Sequence, residues 1–226
     1  MNATRRFRSR LLLLLMAVLA CVVMPACHSA PYLRQRAVEA FEAGRLERAE
    51  RLFNEAAGKD PSNWFTHYHL GLIHLRNQRP LDAQLALELA LSIRPSDAQT
   101  PQTLDALAEA MYRQGDRAAL HGVLSKACAD FGTSHDFLRQ GKYLAMLGDA
   151  DNAHVAFRKA ATFAPHDTRP YLAMADFYES ISDRHKAINA LRHALYIEPA
   201  NPRIQRRLRE MGVVPGPTME LPVGDF

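Results

Sequence analysis

Three histidines lie close together in the sequence and are the first candidates for chemistry: His67, His69 and His74. A helical zinc site uses a histidine pair four residues apart, and no two of these three have that spacing. We therefore interpret His67 and His74 as core or groove-edge residues. The chain also lacks the H-E-x-x-H, G-x-S-x-G, G-x-x-x-x-G-K-S/T and C-x-x-C motifs. These absences predict no catalytic residue, no metal site, no cofactor and no small-molecule substrate.

The remaining reactive side chains are three cysteines, and two of them lie near the N-terminus. Arginines at four of the first ten positions precede an apolar run from Leu11 to Met24. Fourteen residues are too few for a comfortable membrane span, which needs about 20. A basic segment, a short apolar run and small residues are typical of a secretory signal, which we place at residues 1–26.

The two N-terminal cysteines make this leader more specific. Val18-Leu-Ala-Cys21 resembles the lipobox of bacterial lipoproteins, whereas Cys27 lies where the apolar run ends. The resemblance implies acylation of one of them, and the choice between Cys21 and Cys27 stays open. It also implies an exported protein, anchored to the membrane by its lipid. An ordinary signal peptide is the alternative. Aspartate follows neither cysteine. By the lipoprotein sorting rule known for enteric bacteria, this implies the outer membrane, facing the periplasm.

Removing the leader also removes the excess positive charge. Four of the 28 basic residues are in the first ten positions, so 24 basic side chains remain against 24 acidic ones. Nucleic-acid binding needs clustered excess lysine and arginine. We therefore expect no nucleic-acid partner.

The rest of the chain contains a repeat of about 34 residues. Pro61 and Pro95 are 34 positions apart, as are Pro165 and Pro199. The position 24 residues before each proline is small, and the positions 12 and 5 residues before it are alanine. A large apolar residue lies between each alanine pair: Phe53, Leu87, Phe157 and Leu191.

This pattern resembles the tetratricopeptide repeat (TPR) family, whose helix pairs recur every 34 residues. The resemblance implies an all-α fold, a right-handed α-solenoid of about five repeats followed by a C-terminal capping helix. The solenoid is expected at 30–201, the capping helix at 202–211 and a flexible tail at 212–226. The individual repeats are placed at 30–63, 64–97, 101–133, 134–167 and 168–201, the third being degenerate.

In TPR proteins the first helix of each repeat lines a concave groove that holds a protein or peptide. The resemblance, carried over residue by residue, implies a partner-binding groove formed by Phe41, Phe65, Tyr68, Leu72, Tyr112, Arg113, Arg139 and Lys142. Apolar residues beside polar ones suit an amphipathic helix or an extended segment. The competing interpretation is that Phe41, Phe65 and Leu72 only complete the packing between repeats.

Leader, lipobox and repeats together are similar to the TPR lipoproteins that assist assembly of type IV or Flp pili. The implied function is a non-catalytic protein–protein interaction scaffold in the bacterial envelope, serving a pilus, secretion or outer-membrane complex. One alternative is an adaptor for cell-wall enzymes or envelope proteases. Another, from a different class, is a metal-binding protein or enzyme that uses the histidines.

Overall fold

The computed structural model describes residues 29–93 and 100–214, and these residues form eleven α-helices and no strand. The predicted signal peptide, Cys21, Cys27 and the tail from residue 215 onward lie outside the described residues. In chain order the helices are α1 Ala30–Glu42, α2 Leu46–Lys59, α3 Trp64–Arg76, α4 Pro80–Ile93, α5 Thr100–Gln114, α6 Arg117–Asp130, α7 Ser134–Met146, α8 Ala150–Phe163, α9 Thr168–Ser180, α10 Arg184–Ile197 and α11 Pro202–Glu210.

The helices pack as antiparallel pairs within two compact units. The first unit ends at Ala110 and the second begins at Met111, so the boundary falls inside α5. In the first unit α1 packs on α2 and α3 on α4; in the second, α7 packs on α8 and α9 on α10. By their bounds, two consecutive helices fall in each predicted repeat, and α5 begins one residue before the predicted third repeat. No helix within 29–93 or 100–214 combines the length and the apolar character that a membrane crossing requires.

Polar side chains cap the N-termini of three helices that follow a proline-containing turn. The Asn63 side chain accepts a hydrogen bond from the Thr66 backbone N–H, 3.1 Å away. Asp167 and Asn201 do the same for the N-termini of α9 and α11. Each carboxylate or amide oxygen satisfies a backbone donor that has no partner inside the helix. Asn63, Asp167 and Asn201 are thus the N-caps of α3, α9 and α11.

A left-handed residue joins the two helices of each repeat. Glycine fills this position in three repeats, where φ lies between 71° and 83° at Gly44, Gly115 and Gly148. In the other two repeats the same position is Gln78, with φ 56°, and Ser182, with φ 62°. Side chains adopt this backbone region at a cost that glycine avoids.

The core between paired helices is built from the small residues of the repeat and the large residue that faces them. Ala37, Ala175, Phe53 and Leu191 are all fully buried. The C-terminal helix completes the second unit, because Ile204 and Leu208 of α11 are buried in the same cluster as Leu191. The other face of α11 carries exposed arginines, so this end of the second unit presents a polar surface to solvent, as the terminal helix of a solenoid must.

Candidate partner-binding surface

An aromatic cluster lies in the first unit where side chains of α1, α2 and α3 meet, and His69 is at its centre. The His69 ring centroid lies 4.0 Å from that of Phe65, 5.1 Å from Phe53 and 5.2 Å from Tyr68. Phe41 of α1 contacts His69 edge-on, at 5.7 Å. Trp64 extends the cluster through Phe65 and Tyr68. We define the aromatic cluster as Phe41, Phe53, Trp64, Phe65, Tyr68 and His69.

The helical repeat explains how α3 brings these side chains together. Residues 65, 68, 69 and 72 are spaced by three or four positions, so Phe65, Tyr68, His69 and Leu72 share one face of the helix. The His69 Nδ1–H donates a hydrogen bond to the Phe65 carbonyl at 2.9 Å. Burial lowers the pKa of His69, so the ring is neutral at pH 7 and packs as an aromatic group.

Charged groups of both signs border the aromatic cluster. The Arg76 guanidinium carbon lies 4.0 Å from the centroid of the Phe41 ring, a cation–π contact at the C-terminal end of α3. Burial, and then the nearby Asp105 carboxylate, raise the pKa of Tyr68, so its phenol stays protonated and available as a donor. The surface is therefore apolar at its centre and polar at its edge.

The four residues predicted here from sequence, Phe41, Phe65, Tyr68 and Leu72, are all half-buried. Phe41 and Phe65 pack against the buried core that contains Phe53. Packing between repeats thus accounts for part of each phenylalanine ring, and the rest is open to solvent. Packing between repeats therefore involves both phenylalanines, and their role in binding a partner stays a prediction.

In the second unit, three predicted residues lie at or near the surface. The Tyr112 ring centroid is 5.8 Å from that of Tyr143, which is buried. The Lys142 ammonium lies 4.9 Å from the centroid of the same Tyr143 ring, and the Arg113 side chain is exposed. Tyr112 also lines a small cavity of about 220 Å³, together with Met111, Gly115, Asp116, Arg117, Leu120, Met146 and Leu147.

Arg139 is a correction to the sequence prediction. Its side chain is only 2% exposed, and its guanidinium donates to the Asp136 carboxylate at 2.9 Å. Asp136 also accepts from the backbone N–H and hydroxyl of Thr133, which closes a capping box at the start of α7. Because this network holds the guanidinium inside the unit, Arg139 does not present it to a partner. The Thr133-x-x-Asp136 spacing was the available sequence signal.

Three further residues with reactive side chains, His67, His74 and Cys128, lie in packed surroundings. His67 is buried, and its Nε2–H donates to the Pro61 carbonyl at 2.8 Å. His74 lies 3.8 Å from a Glu50 carboxylate oxygen. Burial raises the pKa of the Cys128 thiol to about 11, so it is protonated at neutral pH. Within the described ranges no three histidine, cysteine or acidic side chains are grouped to hold a metal.

The comparisons with known proteins identify the repeat and the fold. The tetratricopeptide repeat family model matches residues 168–201. No curated protein sequence matches the chain. Among solved structures, the chain is similar to YrrB, described as a TPR protein with an unusual peptide-binding site. The identity is 18% and the TM-score 0.54, over 84% of this chain and 97% of that one.

Two further similar structures share the same fold at low identity. For PilF of Pseudomonas aeruginosa the identity is 18% and the TM-score 0.58, with 81% of this chain and 84% of that one covered. For PilW, described as a widely conserved type IV pilus biogenesis factor, the identity is 16% and the TM-score 0.59, with 80% of this chain and 85% of that one covered. With its helix pairs, caps and small-residue core, the chain has the all-α fold of TPR proteins, and residues 168–201 match the tetratricopeptide repeat model.

Proposed function

We propose that this chain is a non-catalytic protein–protein interaction scaffold of the bacterial envelope that assists the assembly of a pilus, secretion or outer-membrane complex. The observation that carries the interaction role is the aromatic cluster, whose rings pack against one another and, apart from the buried Phe53, are partly open to solvent. TPR proteins act by binding protein segments, and this surface has the composition that such binding requires.

The aromatic cluster is suited to binding because its rings are already ordered. Tyrosine and tryptophan dominate interface energetics, since each buries a large area and has few rotatable bonds. Tyr68 is fixed against His69 and Trp64, so little rotamer entropy remains to be lost on binding. The Tyr68 hydroxyl can donate to a backbone carbonyl of the bound segment while Leu72 contacts its apolar side chains.

The envelope part of the proposal rests on the leader and on fold similarity. The lipobox-like segment ending at Cys21, with Cys27 as the alternative acylation site, supports export and a lipid anchor in the outer membrane. The type IV pilus biogenesis factor PilW and PilF of Pseudomonas aeruginosa have the same fold, which agrees with a role in pilus or secretion assembly. At 16% and 18% identity this similarity supports the proposal through the fold alone.

The interaction surface is tested by crosslinking the full chain in membranes and identifying the proteins recovered with it. We expect Tyr68→Ala and Leu72→Ala each to remove the crosslinked partner. Tyr196→Ala is the matched control, because Tyr196 is 68% exposed on α10 and its loss should leave the partner bound. If both α3 variants retain every partner, the assignment of this surface is wrong.

The identity of the recovered protein separates the assembly role from the alternatives. A pilus, secretion or outer-membrane subunit supports the proposal, whereas a cell-wall enzyme or envelope protease favours the adaptor role. Stoichiometric zinc or copper in the purified chain would instead support a metal-binding function and overturn the scaffold role.

The lipid anchor is tested separately by metabolic labelling with a radioactive fatty acid. We expect label in the wild-type chain, loss of label in either Cys21→Ser or Cys27→Ser, and retention in the other variant. Absence of label in wild type, or its persistence in the double variant, would contradict the anchor without affecting the interaction surface.

A further inference from the structure

Helix α4 carries a stripe of three exposed leucines. Leu81 is 58% exposed, Leu85 60% and Leu89 44%. They are spaced by four residues, so they form one continuous row about 12 Å long at the helical rise of about 1.5 Å per residue. The opposite side of α4 is buried through Ala83, Leu87 and Ala90. We call the three leucines the α4 stripe.

The TPR fold does not require leucine at these positions. The equivalent residues in the second helix of the first repeat are Glu47, Arg51 and Glu55, all exposed. In the fourth repeat they are Asp151, Val155 and Lys159, also exposed. Since the same structural positions accept charged residues elsewhere in this chain, the pairing of helices within a repeat does not require leucine there.

Charge restricts what can cover the α4 stripe. The helix from Pro80 to Ile93 contains Asp82 and Glu88 but no lysine or arginine. The Asp82 side chain is 51% exposed, and Glu88 is exposed beside the stripe. The Arg79 guanidinium lies 3.9 Å from Asp82 but is bound more closely by Glu50, at 2.6 Å, so the edge of the stripe stays acidic. An anionic membrane surface or nucleic acid would be repelled by these carboxylates. The complementary surface is apolar and bordered by positive charge.

A second copy of the chain fits the α4 stripe poorly. Pairing two α4 helices would bring Asp82 and Glu88 of one copy near the same acidic residues of the other. A stable homodimer buries about 800 Å² per partner, contributed by roughly 20 to 30 residues. Three leucines and their neighbours on a single helix supply only a small part of that area.

We propose that the α4 stripe is a second docking surface, and that its occupant is an amphipathic helix of a partner protein with lysine or arginine beside its apolar row. The surface lies on a helix that contributes nothing to the aromatic cluster, so the scaffold has two separate interaction sites. A helix laid along α4 covers the three leucines over about two turns, and its basic residues meet Asp82 and Glu88.

The test uses two synthetic helical peptides as probes of the full chain. Both have leucines at positions i, i+4 and i+8; one has lysines beside that row and the other has glutamates. We expect fluorescence anisotropy to show at least tenfold tighter binding of the lysine peptide. Leu85→Gln should weaken that binding at least tenfold, and Asp82→Lys with Glu88→Lys should reverse the preference between the peptides.

Val155→Gln is the matched control, because Val155 occupies the equivalent exposed position on α8. It should leave binding of the lysine peptide unchanged, and Leu85→Gln should leave the urea midpoint unchanged because Leu85 is exposed. Equal binding of the lysine peptide to wild type and Leu85→Gln would overturn the proposal. So would leucine-dependent dimerisation in sedimentation, or leucine-dependent binding to phosphatidylglycerol vesicles.

Discussion

Replacing Gly71 with alanine adds one methyl group where α3 packs against α4. A Cβ atom built at Gly71 would lie 2.5 Å from Cγ of Leu87 and 2.7 Å from its Cδ2. Carbon atoms in contact are ordinarily about 3.5 to 4 Å apart. Leu87 is fully buried, so it has no solvent space into which to move. The substitution must displace either the side chain or the helix.

Two opposing effects determine the magnitude. Overpacking a well-filled core costs about 1–3 kcal/mol. Alanine is favoured over glycine inside a helix by about 0.5–1 kcal/mol, and this partly offsets the cost. We expect Gly71→Ala to lower the free energy of unfolding by about 1–2 kcal/mol. Helix propensity alone predicts the opposite sign.

The assay is urea denaturation of the full chain, followed by tryptophan fluorescence. Trp64 is the single tryptophan in the sequence and lies in α3, so its signal reports on the first unit. Gly58→Ala in α2 is the matched control, because a Cβ at that position has open space around it. It should be neutral or stabilising by about 0.5 kcal/mol. If both variants shift the midpoint equally, the steric argument is refuted.

Three further outcomes are expected. Asp136→Ala should lower the free energy of unfolding, measured by urea denaturation, by about 3 kcal/mol or more, because it leaves the buried Arg139 guanidinium without this carboxylate. A decrease of less than about 1 kcal/mol would contradict the burial of this ion pair. Ser182→Gly should raise the free energy of unfolding by about 0.5–1 kcal/mol, because glycine adopts the left-handed φ of 62° without strain. Thermal denaturation measures this change, and an unchanged midpoint temperature would show that Ser182 is not strained. Burial lowers the pKa of His69, so the unfolded chain binds its proton more readily and stability falls as the pH drops below about 6.5. His69→Phe should reduce that fall between about pH 7.5 and 5.5, and an unchanged pH profile would argue against a neutral buried ring.

Helix boundaries could be predicted from sequence because their causes are local. Asn63 and Asp167 cap the backbone donors two or three residues ahead of them, and a proline or glycine ends the preceding element. The small residue that recurs 24 positions before each proline marks where paired helices meet. These relations span no more than one repeat, so spacing and residue type are sufficient to reveal them.

The properties of the candidate surfaces depended on neighbours that spacing does not supply. Arg139 occupies a position that lines the groove in the family pattern, yet its side chain is drawn inward by a carboxylate fixed in a capping box. The α4 sequence is apolar on two faces, and only packing decides that Leu87 is covered while Leu85 is open.

The sequence by itself determined the repeat, the order of the helices and the residues eligible for an interaction surface. Tertiary structure decided which of those residues keep an exposed side chain and which titratable groups stay neutral. The physical reason is that helix formation and capping are set by residues close in the chain. Solvent exposure and desolvation, as at His69, depend on side chains contributed by α1, α2 and α3 together.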